Sequence, residues 1–329
     1  MEFWLPIIYM AAMGLALLIY VILDGYDLGV GMLIPLADER EKDVMIASIG
    51  PFWDANETWI VLGVGILLIA FPTAHGIVLS HLYLPVTFML MGLILRGVAF
   101  DLRVKAGDHR RRLWNNAFFA GSLIASVSQG WMLGAYITGL STTVAGLLFP
   151  LLIALTLPAL YLLLGSGWLI MKTEGDLQAR SLDWARAAVL PMGVGLLLVS
   201  VATPLVSPAI AGKWFSLPNF LYLAPIPLIT AGSYLAILRV LARDLRPGRA
   251  EWHLFGLTVL ICVTASLGLA YSLFPDVIIG RMTIWEASAS VNALLFTLVG
   301  VAMTLPMIIG YTVIVYRIFH GKAGELRYD

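Results

Sequence analysis

Long stretches of this sequence carry no charge, and they dictate the solvent in which the chain can fold. Residues 144–171 contain no Asp, Glu, Lys or Arg, and residues 5–23 contain none either. A helix needs about 20 apolar residues to cross roughly 30 Å of hydrocarbon, and only helices and closed barrels satisfy their backbone there. The apolar runs are continuous, not alternating, which excludes a barrel. Reading from one charge cluster to the next predicts nine helices, near 5–34, 51–71, 77–100, 114–138, 144–171, 185–206, 219–241, 253–275 and 288–318. Pro191 and Pro204 interrupt the sixth, and Pro225 and Pro227 fall in the first turns of the seventh. Connections are short, so the 329 residues read as a single helical membrane domain. The first helix has no basic leader and no small-residue cleavage site, and reads as a retained span.

Composition agrees with this solvent. Charged residues make up 12% of the chain and mean hydropathy is +0.92, where a soluble protein carries about 25% charged residues. Disorder is excluded on the same ground. Net charge is zero, so no polyanionic partner such as nucleic acid is implied. Cys262 is the sole cysteine, which excludes an internal disulfide, a CxxC pair and a thiolate metal cluster.

Nine crossings place the termini on opposite sides. Of the 20 basic residues, only Lys213 and Arg281 fall on the side of the N-terminus. Arg110–Arg112, the Arg243, Arg246 and Arg249 group, and Lys322 and Arg327 of the tail all fall on the other. The positive-inside rule then puts the N-terminus outside and the C-terminus in the cytoplasm.

Charge inside the spans costs roughly 2.5–3.5 kcal/mol per group on insertion scales, so each such group needs a partner, water or a function. The first cluster is Asp24-Gly25-Tyr26-Asp27-Leu28-Gly29-Val30-Gly31, at the end of helix one. Asp24 and Asp27 share a face, and Gly25 and Gly29 form a GxxxG step for close helix packing. The second, Pro51-Phe52-Trp53-Asp54-Ala55-Asn56-Glu57-Thr58-Trp59, opens helix two, with Asp54 and Glu57 again three apart. The third, Arg96-Gly97-Val98-Ala99-Phe100-Asp101-Leu102-Arg103-Val104-Lys105, closes helix three, and Asp101 and Lys105 have the spacing of an i, i+4 pair. Alternate helix directions bring all three to the cytoplasmic end, where Asp24, Asp27, Asp54, Glu57, Arg96, Asp101 and Lys105 can converge. Such a chain of carboxylates suits a proton or cation pathway. The plainer reading is a set of interfacial charges that pair and orient the helices. Thr283-Ile284-Trp285-Glu286-Ala287-Ser288 lies outside, where Glu286 is expected to cap helix nine. The histidines His75, His81, His109, His253 and His320 offer no pair at matching depth for a bis-histidine haem.

Together the three clusters closely resemble the hallmark segments of subunit II of cytochrome bd-type quinol oxidases, including the cyanide-insensitive branch. Thr283–Ser288 is similar to the family's Trp-Asp-Ala-Thr/Ser segment, with Glu286 where Asp is usual, and the resemblance runs in order from about residue 5 to residue 318. It implies a bacterial inner-membrane enzyme of the translocase class that couples quinol oxidation to reduction of O2 to water and builds a proton gradient. Haem b and haem d, or haem b alone, are then expected in the paralogous subunit I, together with the active site. This chain is expected to hold no haem, no metal and no catalytic residue. The resemblance assigns Asp54, Asp101 and Lys105 to cytoplasmic proton uptake, with Asp24 and Glu57 beside them, and puts a structural ubiquinone near Trp53 in some members. Gly25, Gly29, Asp27 and Arg96 are left to helix packing and charge pairing. Partners implied are subunit I, a small single-helix accessory subunit, quinol and lipid. The competing reading is a proton- or cation-coupled secondary transporter using the same carboxylates. Such a protein would show inverted repeats and broken mid-membrane helices, and the sequence has neither.

Overall fold

The computed structural model describes residues 2–242 and 251–323, so Arg243, Arg246, Arg249 and Arg327 lie outside the described residues. In chain order the elements are α1 (Trp4–Leu33), α2 (Glu39–Ile49), α3 (Trp53–Ala70), α4 (Pro72–Lys105), α5 (Asp108–Ile137), α6 (Val144–Lys172) and α7 (Gly175–Val206). They continue as α8 (Pro208–Trp214), α9 (Asn219–Leu223), α10 (Pro225–Ala242), α11 (Glu251–Leu273), β1 (Asp276–Ile278), β2 (Met282–Thr283), α12 (Ile284–Ala287) and α13 (Val291–Ile318). The fold is an all-α membrane bundle, with β1 and β2 forming a small antiparallel hairpin.

Eight of the described helices are long and apolar enough to cross a membrane. The ninth long helix, α5, spans 30 residues, or about 45 Å at 1.5 Å per residue. It returns the chain from the end of α4 to the start of α6 and packs along both. Its polar side chains account for its weak apolar signal, because it turns them inward: Asn115, Ser122, Ser126, Ser128 and Gln129 are all buried.

Several boundaries differ from the apolar runs. Helix hydrogen bonding continues past the hydrocarbon wherever nothing breaks it. α7 therefore starts at Gly175, ten residues before the predicted 185, through the polar turns that carry Asp176, Arg180 and Asp183. Pro191 and Pro204 are both accommodated inside it. Pro225, by contrast, divides the predicted seventh helix into α9 and α10. The first connection holds a helix of its own, α2, closed by a capping box in which the Asp38 carboxylate accepts from Glu41 N–H and Glu41 accepts from Asp38 N–H.

The last span begins at Val291, capped by Ser290. Glu286 does not cap it, as the sequence suggested; it closes a capping box with Thr283 on the four-residue α12. The Thr283 N–H and hydroxyl hold the Glu286 carboxyl below the usual range. What this contact contributes is present above the ordinary Glu range and lost as pH falls on through the lowered value.

Around α1 the bundle is tightest. It lies between α3 and α6, with α5 alongside. A methyl group built on Gly29 would stand 1.9 Å from the Tyr161 carbonyl oxygen, and one on Gly165 would stand 2.6 Å from the Gly29 carbonyl carbon. Only glycine admits this backbone approach. At the far end Tyr9 donates to the Leu294 carbonyl at 2.7 Å, closing α13 onto α1, and the Trp285 indole of α12 donates to the Phe3 carbonyl at 3.1 Å. Gly29→Ala is expected to lower the thermal midpoint of the purified protein, at an overpacking cost of about 1–3 kcal/mol. Gly14→Ala, on the same helix but facing open space, should not lower the midpoint.

Candidate functional site

The three charge-bearing segments meet at the end of the bundle where α1 finishes, α3 begins and α4 finishes. Gly92 of α4 and Gly121 of α5 permit a second close approach, with a methyl on Gly121 falling 2.6 Å from the Gly92 carbonyl oxygen and 2.8 Å from Arg96 N. That packing drives the Arg96 side chain inward, to 1% exposure. A guanidinium taken so far out of water needs carboxylates around it. One terminal nitrogen donates to Asp24 Oδ1 at 2.7 Å, and the same nitrogen donates to Glu57. Asp24 is fully buried and Glu57 keeps 28% of its side chain exposed. The ion cluster thus joins three helices and opens at Glu57.

Two further polar chains branch from this cluster. Asp27, fully buried, accepts from the Asn56 amide at 2.8 Å, and the same amide donates to Tyr26 Oη at 2.9 Å and to the Leu23 carbonyl at 3.3 Å. Tyr26 and Tyr316 share a hydroxyl hydrogen bond of 2.6 Å, and Tyr316 donates to Asn56 Oδ1 at 3.2 Å. On the other side Tyr20, beside Asp24, accepts from Gln129 at 2.7 Å, and Tyr161 donates to Gln129 at 2.6 Å. The clusters read from the sequence contain Asn56 but none of Tyr20, Gln129, Tyr161 or Tyr316. The available signal was a glutamine and tyrosines inside apolar runs, groups that need a partner in hydrocarbon.

The expected site residues divide into two groups. Asp24, Asp27, Glu57 and Arg96 lie inside the bundle. Asp54, Asp101 and Lys105 lie on its surface. Asp54 is within electrostatic reach of both Asp101 and Arg96. Asp101 and Lys105 form no ion pair among the described residues, although their spacing allows one; both are exposed on this chain. Near them on α4 Arg103 does bind an acid, pairing with Asp43 at 2.7 Å and donating to Asn115 at 2.6 Å, and Arg111 of α5 meets the same Asp43 at 3.6 Å. Trp53 packs on α4, its ring 4.8 Å from that of Phe100 and in contact distance of Gly97. Gly25 faces the Tyr161 ring, where an added methyl would come within 2.9 Å.

Residues 5–319 match the family model described as cytochrome bd terminal oxidase subunit II. The chain belongs to this family. Subunit 2 of the cytochrome bd-I ubiquinol oxidase of Escherichia coli strain K12 is 28% identical over 366 aligned residues, which cover 97% of this chain and 95% of the relative. Subunit 2 of the cytochrome bd ubiquinol oxidase of Bacillus subtilis is 28% identical over 92% of each chain. A chain of the solved bd oxidase from Geobacillus thermodenitrificans shares the fold, with a TM-score of 0.77 and 18% identity over 97% of this chain and 99% of that one.

This bd-family chain is therefore a subunit II of a bd-type quinol oxidase and a multi-pass protein of the bacterial inner membrane. It is part of a haem-containing oxidoreductase complex that serves respiratory electron transport, and it has a subunit I as partner. The transporter reading is not favoured. The described residues hold no group of three His, Cys, Asp or Glu side chains placed for a metal ion. His75, His81 and His253 each lie within the first ten residues of a helix, away from the middle of the bundle.

The Arg96 cluster makes a direct prediction. Arg96→Leu strands the buried Asp24 charge, at a cost of about 3–5 kcal/mol, and should abolish recovery of the assembled complex from membranes. The double variant Arg96→Gln with Asp24→Asn removes both charges and should restore part of that yield.

Proposed function

We propose that this subunit scaffolds the haem-bearing subunit I and supplies part of the route by which O2 reduction draws protons from the cytoplasm. One observation carries the proposal. Asp54 and Asp101 stand exposed on this chain within electrostatic reach of one another, beside a buried ion cluster at the end rich in basic residues. Exposed carboxylates at the rim of a membrane bundle exchange protons with water and with each other. Asp54, Asp101 and Lys105 form the outer part of the route. Glu57, one helical turn beyond Asp54, is the half-open step towards Asp24. Arg96 holds Asp24 and Glu57 in place, fixing the rotation of α3 that presents Asp54. Gly25, Gly29 and Asp27 serve packing and hydrogen bonding behind it.

Within this reading the basic end faces the cytoplasm and the N-terminus faces outside, following the positive-inside rule. The chain works as one membrane domain. Quinol oxidation, O2 reduction and the haems, whether b with d or b alone, belong to subunit I. Protons consumed from the cytoplasm and quinol protons released outside build the gradient, which puts the complex in the translocase class. A structural ubiquinone beside Trp53 and a single-helix accessory subunit belong to the same reading.

Asp54→Asn tests it. Turnover of the assembled complex with quinol should fall severalfold, while the reduced-minus-oxidised haem spectrum stays near normal. Unchanged turnover would make Asp54 structural, and loss of haem would make its role assembly.

A further inference from the structure

Behind the Asp54 turn lies a lysine that no proton route uses. Lys172, the last residue of α6, is 6% exposed. Its ammonium donates to the carbonyl oxygens of Phe319 and, at 3.0 Å, Gly321, the residues that follow α13. Its remaining faces lie over two rings, 5.2 Å from the centroid of Phe52 and 5.1 Å from that of Trp168. Two carbonyls and two aromatic faces account for the whole ammonium.

The segment that follows α13 returns the grip. Ala323 N–H donates to the Lys172 carbonyl at 2.7 Å. Lys322 donates to the Thr173 carbonyl at 3.0 Å and pairs with Glu251 of α11 at 2.6 Å. Residues 319–323 thus form a strap across the ends of α6, α11 and α13. The strap also reaches α3 through Phe52, which occupies the N-cap position of that helix. Its ring is 1% exposed, held against Trp168 at 5.3 Å, Tyr316 at 4.6 Å and Phe319 at 6.1 Å. Its backbone is the first rung of α3, donating to Ile49 and accepting from Asn56, each at 2.9 Å.

We infer that Lys172 and the C-terminal strap are a positioning device for the first turn of α3, the turn that carries Asp54, Asn56 and Glu57. Lysine suits this role because a cation offsets the carbonyl charge at the end of α13 and adds a cation–π attraction to both rings that a neutral side chain lacks. The consequence for turnover rests on the proton-uptake reading of Asp54; the positioning itself does not.

The test uses the complete complex with two variants, Lys172→Met and a chain ending at Ile318. Amide hydrogen exchange is measured over residues 49–57, with kcat and KM for quinol and the haem spectrum alongside. In both variants exchange over 49–57 should rise, and kcat should fall roughly tenfold, as for a displaced reacting group, at unchanged KM and haem spectrum. Lys172→Arg, which can donate to the same carbonyls and stack on the same rings, should restore both. Unchanged exchange over 49–57 in both variants overturns the inference. Faster exchange with undiminished kcat supports it and refutes proton uptake through Asp54 instead.

Discussion

A guanidinium buried to 1% exposure sets the frame for this end of the molecule. Arg96 cannot stay charged in hydrocarbon alone, and the carboxylates that balance its charge come from different helices: Asp24 from α1 and Glu57 from α3. Each contact fixes both the depth and the rotation of its helix relative to α4. Apolar contacts leave more freedom, because lipid tails solvate a leucine as well as another helix does. The glycine contacts at Gly29 with Gly165 and at Gly92 with Gly121 bring backbones close enough for those short polar contacts to form.

The two ends of the bundle are closed by different means. At the basic end the closure is polar and aromatic: the Arg96 cluster, the Asn56 network, and Lys172 with its strap. At the other end the α8 segment, the hairpin and α12 fold over the helix ends. There Lys213 donates to the carbonyls of Ser272 and Phe274, Tyr9 ties α1 to α13, and Trp285 ties α12 to the start of α1. Buried ionisable groups are therefore concentrated at the basic end. This asymmetry is what the proposed uptake of protons from one face requires.

Much of this was legible in the sequence because hydrophobic solvation acts on composition alone. Runs without charge marked the course of the spans but not their ends, since α7 begins ten residues before its apolar run, and the segments around Asp24, Asp54 and Arg96 carried the family resemblance. α2 was legible in principle, since Asp38-Glu39-Arg40-Glu41 has the spacing of a capping box, but its polar surface hid it among the connections. Asp101 and Lys105 show the limit of spacing rules. Two exposed charges in water gain little from pairing, so a permitted i, i+4 contact need not form. Glu286 shows another limit, since a nearer N-terminus, that of α12, captured its carboxylate.

By itself the sequence determined a helical membrane protein with its basic residues sorted to one end, because the bilayer imposes length, apolarity and charge asymmetry on every span independently. It also determined the family, through motifs that occur together in order. Only the tertiary structure decided which charges are buried and which stay at the surface. That division separates Asp24, Asp27 and Arg96 from Asp54, Asp101 and Lys105, and no periodicity within one helix encodes it. It follows from how closely neighbouring helices approach and how they are turned. The place of Lys172 was decided in the same way, for three of its four partners, Phe52, Phe319 and Gly321, lie more than a hundred residues away along the chain.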